Sequence, residues 1–284
     1  MYMNYSDIND PLFAQALQAL DAGDTGTLEK LITEYPRLIR NRLIIGEDGY
    51  FKDPYLIWFV ADNPIRNSGL PPNITDITRL LVEAIKREAE DTFHEQIDYA
   101  LGLVATGRIP RECGVQIGLM DILIDAGAKP GGGMGAFAHG NVEAAKHLID
   151  RGGKLTFAMA VCLEYVDDIN HLCNKASPAE KLTALAAAAF YGKTNMVRLL
   201  LTMGADPNGY PESASGFHSH ATPLHQAVCS GSLDTVQVLT EAGAGLGATD
   251  KIYSGTPLDW AIHMQTEASN EEEKKNFALI EAYL

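Results

Sequence analysis

A short motif with two downstream glycine signals constrains the fold of this chain more than any other feature. Thr222-Pro-Leu-His-Gln-Ala227 is followed by Gly231 and then by Gly243-Ala244. The threonine hydroxyl can cap a helix that begins with proline, because proline already holds the φ angle of a helix. Gly231 permits a left-handed turn, and Gly243 ends a second helix in the same way. The motif therefore predicts two short helices joined by a tight turn.

The motif recurs at intervals of 39 and 34 residues, with copies opening at Thr183, Thr222 and Thr256. A repeat of this length predicts stacked helical hairpins, each packed on its neighbours. Upstream, Asp53-Pro54 predicts a capped helix start, and Gly46–Gly49 predicts a turn. Apolar stripes and turn signals predict further helices at 13–22, 28–35, 55–61, 77–85, 97–106, 119–123, 134–139, 142–150, within 156–174, and at 274–284.

These residues carry a resemblance to a known family. Thr-Pro-Leu-His-x-Ala with Gly-Ala after the second helix resembles the ankyrin repeat. The match is specific over 181–262 and holds in outline over 113–153. The resemblance implies an all-α solenoid of about eight helix-turn-helix units with short β-turn fingers. We expect a single array over 1–284, with clear repeats at 181–284 and divergent ones at 11–178. Gly216-Phe-His-Ser-His220 before the motif also resembles bacterial ankyrin proteins without assigned chemistry.

The resemblance further implies a non-enzymatic scaffold that binds a protein or peptide partner through its concave face and the long finger 208–221. Ankyrin contacts come from the fingers and from two positions before the glycine between the helices. The fingers here are Asn208–Ala221 and Gly247–Gly255, the first of them unusually long. The candidate binding residues are therefore Phe190, Tyr191, Tyr210, Phe217, His218, His220, Cys229, Ser230, Tyr253, His263 and Met264.

The aromatic residues of the long finger allow two interpretations. Tyr210 and Phe217 could stand exposed at the tip, as the anchors of an interaction hot spot do. Alternatively, they could fold back and bury the loop against the next repeat, since large apolar side chains rarely stay exposed without a partner. For the two tryptophans, Trp58 and Trp260, we expect packing between repeats.

The charge of the chain favours some partners over others. A formal net charge of −15 argues against nucleic acid and anionic membranes, which attract clustered Lys and Arg. A basic partner fits better, although net acidity also aids solubility. Neither a secretory signal nor a run of about 18 apolar residues is visible, so we expect a cytoplasmic protein. Four widely spaced cysteines predict buried thiols in a reducing compartment.

Two other functions deserve comparison with the binding scaffold. His218, His220 and His225 lie within eight residues and could bind a metal, but no nearby Cys or Asp completes a tetrahedral site. Cys229 follows His225 by one helical turn, as in a thiol hydrolase, yet no orienting acid or oxyanion motif accompanies the pair. Gly131–Gly133 lacks the Lys-Ser/Thr of a phosphate loop. We expect neither a cofactor nor a metal.

Overall fold

The computed structural model describes residues 3, 5, 8–44, 52–212 and 217–284. Helices and turns account for the regular structure in these ranges, which contain no β-strand. The all-α prediction is therefore confirmed. The predicted turn at 46–49 lies outside the described residues, as do residues 213–216 of the long finger. No helix in the described ranges is both long and apolar enough to cross a bilayer.

The chain divides into two compact units, residues 1–154 and 155–284. The single array over 1–284 stays a prediction. In the first unit the helices are α1 Pro11–Ala22, α2 Thr25–Glu34, α3 Arg37–Arg40, α4 Ile74–Glu88, α5 Phe93–Thr106, α6 Arg108–Glu112, α7 Gln116–Asp125, α8 Met134–Ala138 and α9 Val142–Asp150, with 3₁₀ helices at Leu56–Ala61 and Glu90–Thr92.

The helices of the first unit pair as hairpins: α1 with α2, the first 3₁₀ helix with α4, α5 with α7, and α8 with α9. The predicted cap at Asp53 is wrong. Asp53 has a φ of 46°, Tyr55 is extended, and the 3₁₀ helix begins only at Leu56 without a side-chain cap. All six residues of Leu56–Ala61 are buried, so burial of an apolar run holds this turn in place.

The second unit contains four successive hairpins. Their first helices pack side by side, and so do the last three of their second helices. This arrangement places the loops between hairpins, including both fingers, next to one another. The helices are α10 Phe157–Leu163, α11 Val166–Cys173, α12 Pro178–Phe190, α13 Thr194–Thr202, α14 Pro223–Cys229, α15 Leu233–Glu241, α16 Pro257–Glu267 and α17 Glu271–Tyr283.

Two predicted helix starts in this unit are wrong. Thr183 lies inside α12, which begins at Pro178 behind a capping box of Ser177 and Glu180. The last helix starts at Glu271, capped by Asn270, instead of at Lys274. The acidic run therefore occupies the first turn, where the helix dipole favours carboxylates.

The last hairpin exposes apolar residues that its predecessor buries. Leu224 and Val228 on α14 are 0% exposed, whereas their repeat equivalents on α16, Leu258 and Ile262, are 37% and 46% exposed. The difference arises because α16 packs against α14 on one side, while no further hairpin of the described chain covers its other side. Burial thus depends on position in the stack as well as on residue type.

Candidate functional site

A groove of about 710 Å³ opens where the two fingers meet α14 and α16 in the second unit. The long finger contributes two histidines and α14 a thiol, while the second finger and α16 form the remaining walls. The lining residues are His218, His220, Cys229, Tyr253, Ser254, Gly255, Asp259, Trp260, His263 and Met264.

The carboxylate of Asp250 shapes the second finger beneath this groove. It accepts backbone N–H bonds from Ile252 at 2.9 Å, Tyr253 at 2.6 Å and Gly255 at 2.9 Å. Its Oδ2 also accepts the indole Nε1–H of Trp260 at 3.0 Å. Burial alone would raise the pKa of Asp250, but these hydrogen bonds outweigh burial and hold the pKa below its ordinary value. Asp250 is therefore an ionised anchor that fixes both the finger and the indole.

Gly255 allows the close approach of this finger to α16. A Cβ atom at Gly255 would lie 3.2 Å from Asp250 Oδ2 and 3.3 Å from Trp260 Cδ1. Its carbonyl oxygen accepts a hydrogen bond from His225 Nε2 at 3.0 Å. The absence of a side chain therefore lets one residue join the finger, the indole and the preceding repeat.

His225 is a structural residue of the scaffold. The side chain is completely buried, and its Nδ1 accepts from the hydroxyl of Thr222 at 2.7 Å and from the Thr222 backbone N–H at 3.3 Å. Its Nε2–H donates to Gly255. These bonds require the neutral ring, and burial lowers the pKa of His225 accordingly. Both ring nitrogens are thus engaged in holding adjacent repeats together.

The described aromatic residues of the long finger fold back on the scaffold. Tyr210 packs on the following loop, as one of the two interpretations predicts, whereas Phe217 packs on the preceding hairpin. Tyr210 donates its hydroxyl to the carbonyl oxygen of Thr249 at 2.7 Å, and Lys251 places its ammonium 4.0 Å from the centre of the Tyr210 ring. Phe217 stacks on Phe190 with a centroid distance of 6.2 Å. Neither aromatic side chain is exposed at the tip.

Aromatic rings form a continuous wall from α12 to the second finger. The ring centroid of His218 lies 5.5 Å from that of Phe190, 5.5 Å from that of His220 and 5.6 Å from that of Trp260. His220 in turn lies 5.9 Å from Trp260 and 6.0 Å from Tyr253. Tyr253 is 76% exposed. The rings of the wall therefore pack against one another at its base, and Tyr253 is accessible at the finger tip.

Comparison with known proteins agrees with this geometry. A family model described as ankyrin repeats in three copies matches residues 134–250. This range includes the hairpins of α8 to α15, the long finger and the first four residues of the second finger. The chain contains ankyrin repeats. The matched region also contains the divergent hairpin at 156–174, which the motif alone does not identify. Ankyrin repeats indicate a protein–protein interaction domain.

Individual relatives of this ankyrin-repeat protein are distant. The potassium channel KOR1 of Oryza sativa subsp. japonica is 37% identical over 75 residues, which are 26% of this chain. The inactive serine/threonine-protein kinase TEX14 of Bos taurus is 30% identical over 138 residues, which are 48% of this chain. The chain matches 8% of the length of either relative. The human ASB11 ankyrin repeat domain aligns over 96% of this chain and 98% of its own at 16% identity, with a TM-score of 0.34.

The structure brings six of the eleven candidate binding residues of this ankyrin-repeat protein into the groove. Two more, Phe190 and Phe217, adjoin it through the aromatic wall. Tyr210 packs outside the groove, and Ser230 donates its hydroxyl to Ala227 O at the end of its own helix. Tyr191 contacts Phe190 edge-on at 5.0 Å, and burial raises its pKa. The six groove residues are His218, His220, Cys229, Tyr253, His263 and Met264.

Sequence reasoning missed three residues that build the site. Trp260 was expected only to pack between repeats, but it is half-buried and lines the groove as well. No sequence signal marked Asp259 or Asp250. For Trp260 there was one, because it occupies the repeat position that Gln226 holds in the preceding unit. That substitution within the repeat was the available clue. Trp58, by contrast, is buried and donates its indole N–H to Gln96 O, as expected.

The thiol of the groove, Cys229, does not form the pair with His225 that the thiol-hydrolase alternative would require. Cys229 Sγ instead lies 3.8 Å from His218 Nε2, because both nitrogens of His225 point to backbone and Thr222. Burial raises the pKa of Cys229 and lowers that of His218. Both shifts oppose a thiolate–imidazolium pair, so burial of the two groups disfavours an activated thiol.

The metal alternative lacks a sufficient set of ligands within the described ranges. Those ranges contain no group of three or more His, Cys, Asp or Glu side chains arranged to hold an ion. Of the three histidines considered, His225 has both nitrogens in hydrogen bonds. His218 and His220 remain, which are fewer ligands than a stable zinc site requires.

Proposed function

We propose that this protein is a non-enzymatic binding module that holds a partner in the groove between its two fingers and α16. The observation that carries the proposal is the groove itself, with six candidate residues and Trp260 along its walls. Its volume of about 710 Å³ lies within the range of about 300–1,000 Å³ that is typical of small-ligand pockets. A few side chains of an extended segment have a volume comparable to that of such a ligand.

The exposed finger tip supports a protein or peptide as the occupant. Tyr253 is 76% exposed and its neighbour Ile252 is 61% exposed. Tyrosine beside a preformed pocket is typical of binding hot spots, because its ring offers a large area at low entropic cost. The Asp250 hydrogen bonds hold this tip in one conformation, so little ordering is needed on binding.

The net charge of the chain makes a basic partner the better electrostatic match. The formal charge is −15, and complementary charge accelerates association and selects against wrong partners. The raised pKa of the half-buried Cys229 thiol supports a non-enzymatic role. A partner held by the long finger at 208–221 would contact His218 and His220, the two residues that this finger contributes to the groove.

A peptide-display experiment tests this proposal. A random 12-residue library is selected on the full chain, and the enriched peptides are measured against Tyr253→Ala/His263→Ala. Both residues are exposed, so the double variant should fold. The matched control is Tyr283→Ala, which removes a partly exposed tyrosine from α17, outside the groove.

We expect enriched peptides to bind the double variant at least tenfold more weakly and the control unchanged. Failure to enrich any peptide, or equal binding to all three proteins, overturns the groove as the binding site. Circular dichroism of each variant establishes that the fold is intact before the affinities are compared.

A further inference from the structure

The groove has an uneven distribution of charge. Asp259 contributes a carboxylate to its lining, and Asp250 holds a second carboxylate 3.0 Å behind the indole nitrogen of Trp260. The described lining residues include neither lysine nor arginine. Lys251, beside the finger tip, directs its ammonium to the ring of Tyr210. The groove is therefore acidic over an aromatic surface.

Asp259 has an oxygen to offer a ligand. Its Oδ2 accepts from the backbone N–H and the hydroxyl of Thr256 at 2.8 Å and 2.7 Å, as part of a capping box. These bonds lower the pKa of Asp259, so the group is ionised at neutral pH. Both bonds end on the same oxygen, which leaves Oδ1 with its lone pairs for a donor. The capping box meanwhile fixes the orientation of the carboxylate.

Trp260 is the strongest aromatic surface for a cation in this wall. The face of an indole attracts cations more than that of any other side chain. Its N–H donates to an ionised, buried carboxylate, which adds electron density to the ring. Tyr253 and His220 flank it, with their rings 6.0 Å apart. Trp260 and Tyr253 thus offer two aromatic rings on the same groove as Asp259.

We propose that the groove binds a cationic side chain, arginine or lysine, from a basic segment of the partner. The guanidinium or ammonium lies against Trp260 and Tyr253 and donates to Asp259 Oδ1. This inference rests on the proposed function and specifies what the groove recognises. An acidic segment is disfavoured because no lysine or arginine among the described lining residues would pair with it, and two carboxylates would repel it.

Two small probes separate the effect of the ligand's charge on binding from the effect of its shape. N-acetyl-arginine amide carries the guanidinium, and N-acetyl-citrulline amide is its neutral analogue of nearly equal shape. Each is titrated into the full chain at pH 8, where free imidazole is neutral. The indole N–H signal of Trp260 is followed by nuclear magnetic resonance. Trp58, buried in the other unit, provides an internal reference signal.

We expect the arginine probe to shift the Trp260 signal with saturation in the millimolar range and to leave Trp58 unchanged. Citrulline should bind at least fivefold more weakly. Asp259→Asn keeps an acceptor for the capping box and should weaken the arginine probe at least fivefold, as should Tyr253→Ala. Tyr283→Ala should have no effect.

Equal binding of arginine and citrulline, or no shift of Trp260, overturns this inference. The display experiment distinguishes that failure from failure of the proposed function. Library peptides that need Tyr253 but carry no arginine or lysine would preserve the binding module and refute the cationic ligand. Absence of both library binding and probe binding would refute both.

Discussion

The buried carboxylate of Asp250 accepts the indole N–H of Trp260 at 3.0 Å. Three backbone N–H groups of the second finger meet the same carboxylate. One side chain therefore determines both the conformation of a loop and the position of a ring in the next helix. The groove depends on this relationship, because its finger wall and its α16 wall are held together by a single group.

Asp250→Ala should destabilise the fold by about 2–3 kcal/mol, since hydrogen bonds to a charged group contribute about 1.5–3 kcal/mol and several donors lose their acceptor. Urea unfolding followed by circular dichroism measures the change. Glu241→Ala, at an exposed position on α15, is the control and should change stability by less than about 0.5 kcal/mol. Equal stability of the two variants would contradict the anchoring role of Asp250.

His225 should make the stability of the protein depend on pH. Because burial lowers its folded pKa, the stabilisation is complete above the unfolded value near 6.5 and is lost as the pH falls. The slope is at most about 1.4 kcal/mol per pH unit for one proton. Burial also lowers the pKa of His218, which therefore changes the stability in the same direction. Two nearby groups act on the pKa of His225 in opposite directions: the charge of Asp250 raises it and His220 lowers it.

The measurement compares urea unfolding of wild type and His225→Gln at pH 7.5, 6.5 and 5.5. We expect the variant to be less stable at pH 7.5 and to have a flatter pH dependence. His171→Gln replaces an exposed histidine of the same unit and should keep the wild-type slope. A parallel pH dependence for all three proteins would show that His225 does not titrate as its burial implies.

Position in the stack should decide the cost of an identical substitution. Leu224→Ala removes a completely buried side chain, whereas Leu258→Ala removes its 37% exposed repeat equivalent. We expect a loss of about 3 kcal/mol for the first and less than about 1 kcal/mol for the second. Thermal and urea unfolding measure both. Comparable losses would mean that α16 is covered in solution.

Three of the four thiols should react with N-ethylmaleimide in an order set by their exposure and pKa. Cys113 is exposed and should react first; Cys229, half-buried with a raised pKa, should follow. Cys162 should be slowest, because burial raises its pKa to about 12 and the thiolate is the reactive form. Peptide mass spectrometry gives the order, and labelling in urea is the control. Faster reaction of Cys229 than Cys113 would indicate an activated thiol.

The divergent hairpin should be the least protected part of the second unit. Its second helix, α11, buries only Ile169 and Cys173 and leaves Val166 48% exposed. We expect amide hydrogen exchange over 155–178 to be faster than over 183–243, because repeat stability depends on local and neighbour contacts. Uniform protection across these ranges would refute the prediction.

The sequence predicted the hairpins well where a helix start had its own chemical signal. Thr222-Pro223 and Thr256-Pro257 both open helices as expected. The predicted helix start at Thr183 is wrong because Ser177 and Glu180 form a capping box upstream, so the helix already begins at Pro178. Asp53 did not cap a helix, because its backbone is left-handed with a φ of 46° and the 3₁₀ helix begins only at Leu56. A local signal at Thr183 was therefore overridden by a stronger neighbouring signal.

The candidate site was predictable in its members but not in its arrangement. Repeat register places His263 and Met264 before the last turn, and finger length indicates His218 and His220. Neither signal shows that Tyr210 donates its hydroxyl to Thr249 O, or that Trp260 lines the groove. Those outcomes depend on contacts between residues far apart in sequence.

The sequence by itself determined the repeat unit, since caps, glycine turns and apolar periodicity act within a few residues. Only the tertiary structure decided where the groove lies and what lines it. Asp250 reaches Trp260, Lys251 N–H reaches His220 O, and Phe217 reaches Phe190 only after the hairpins stack. Stacking brings distant loops together, and no local pattern records which of their side chains then meet.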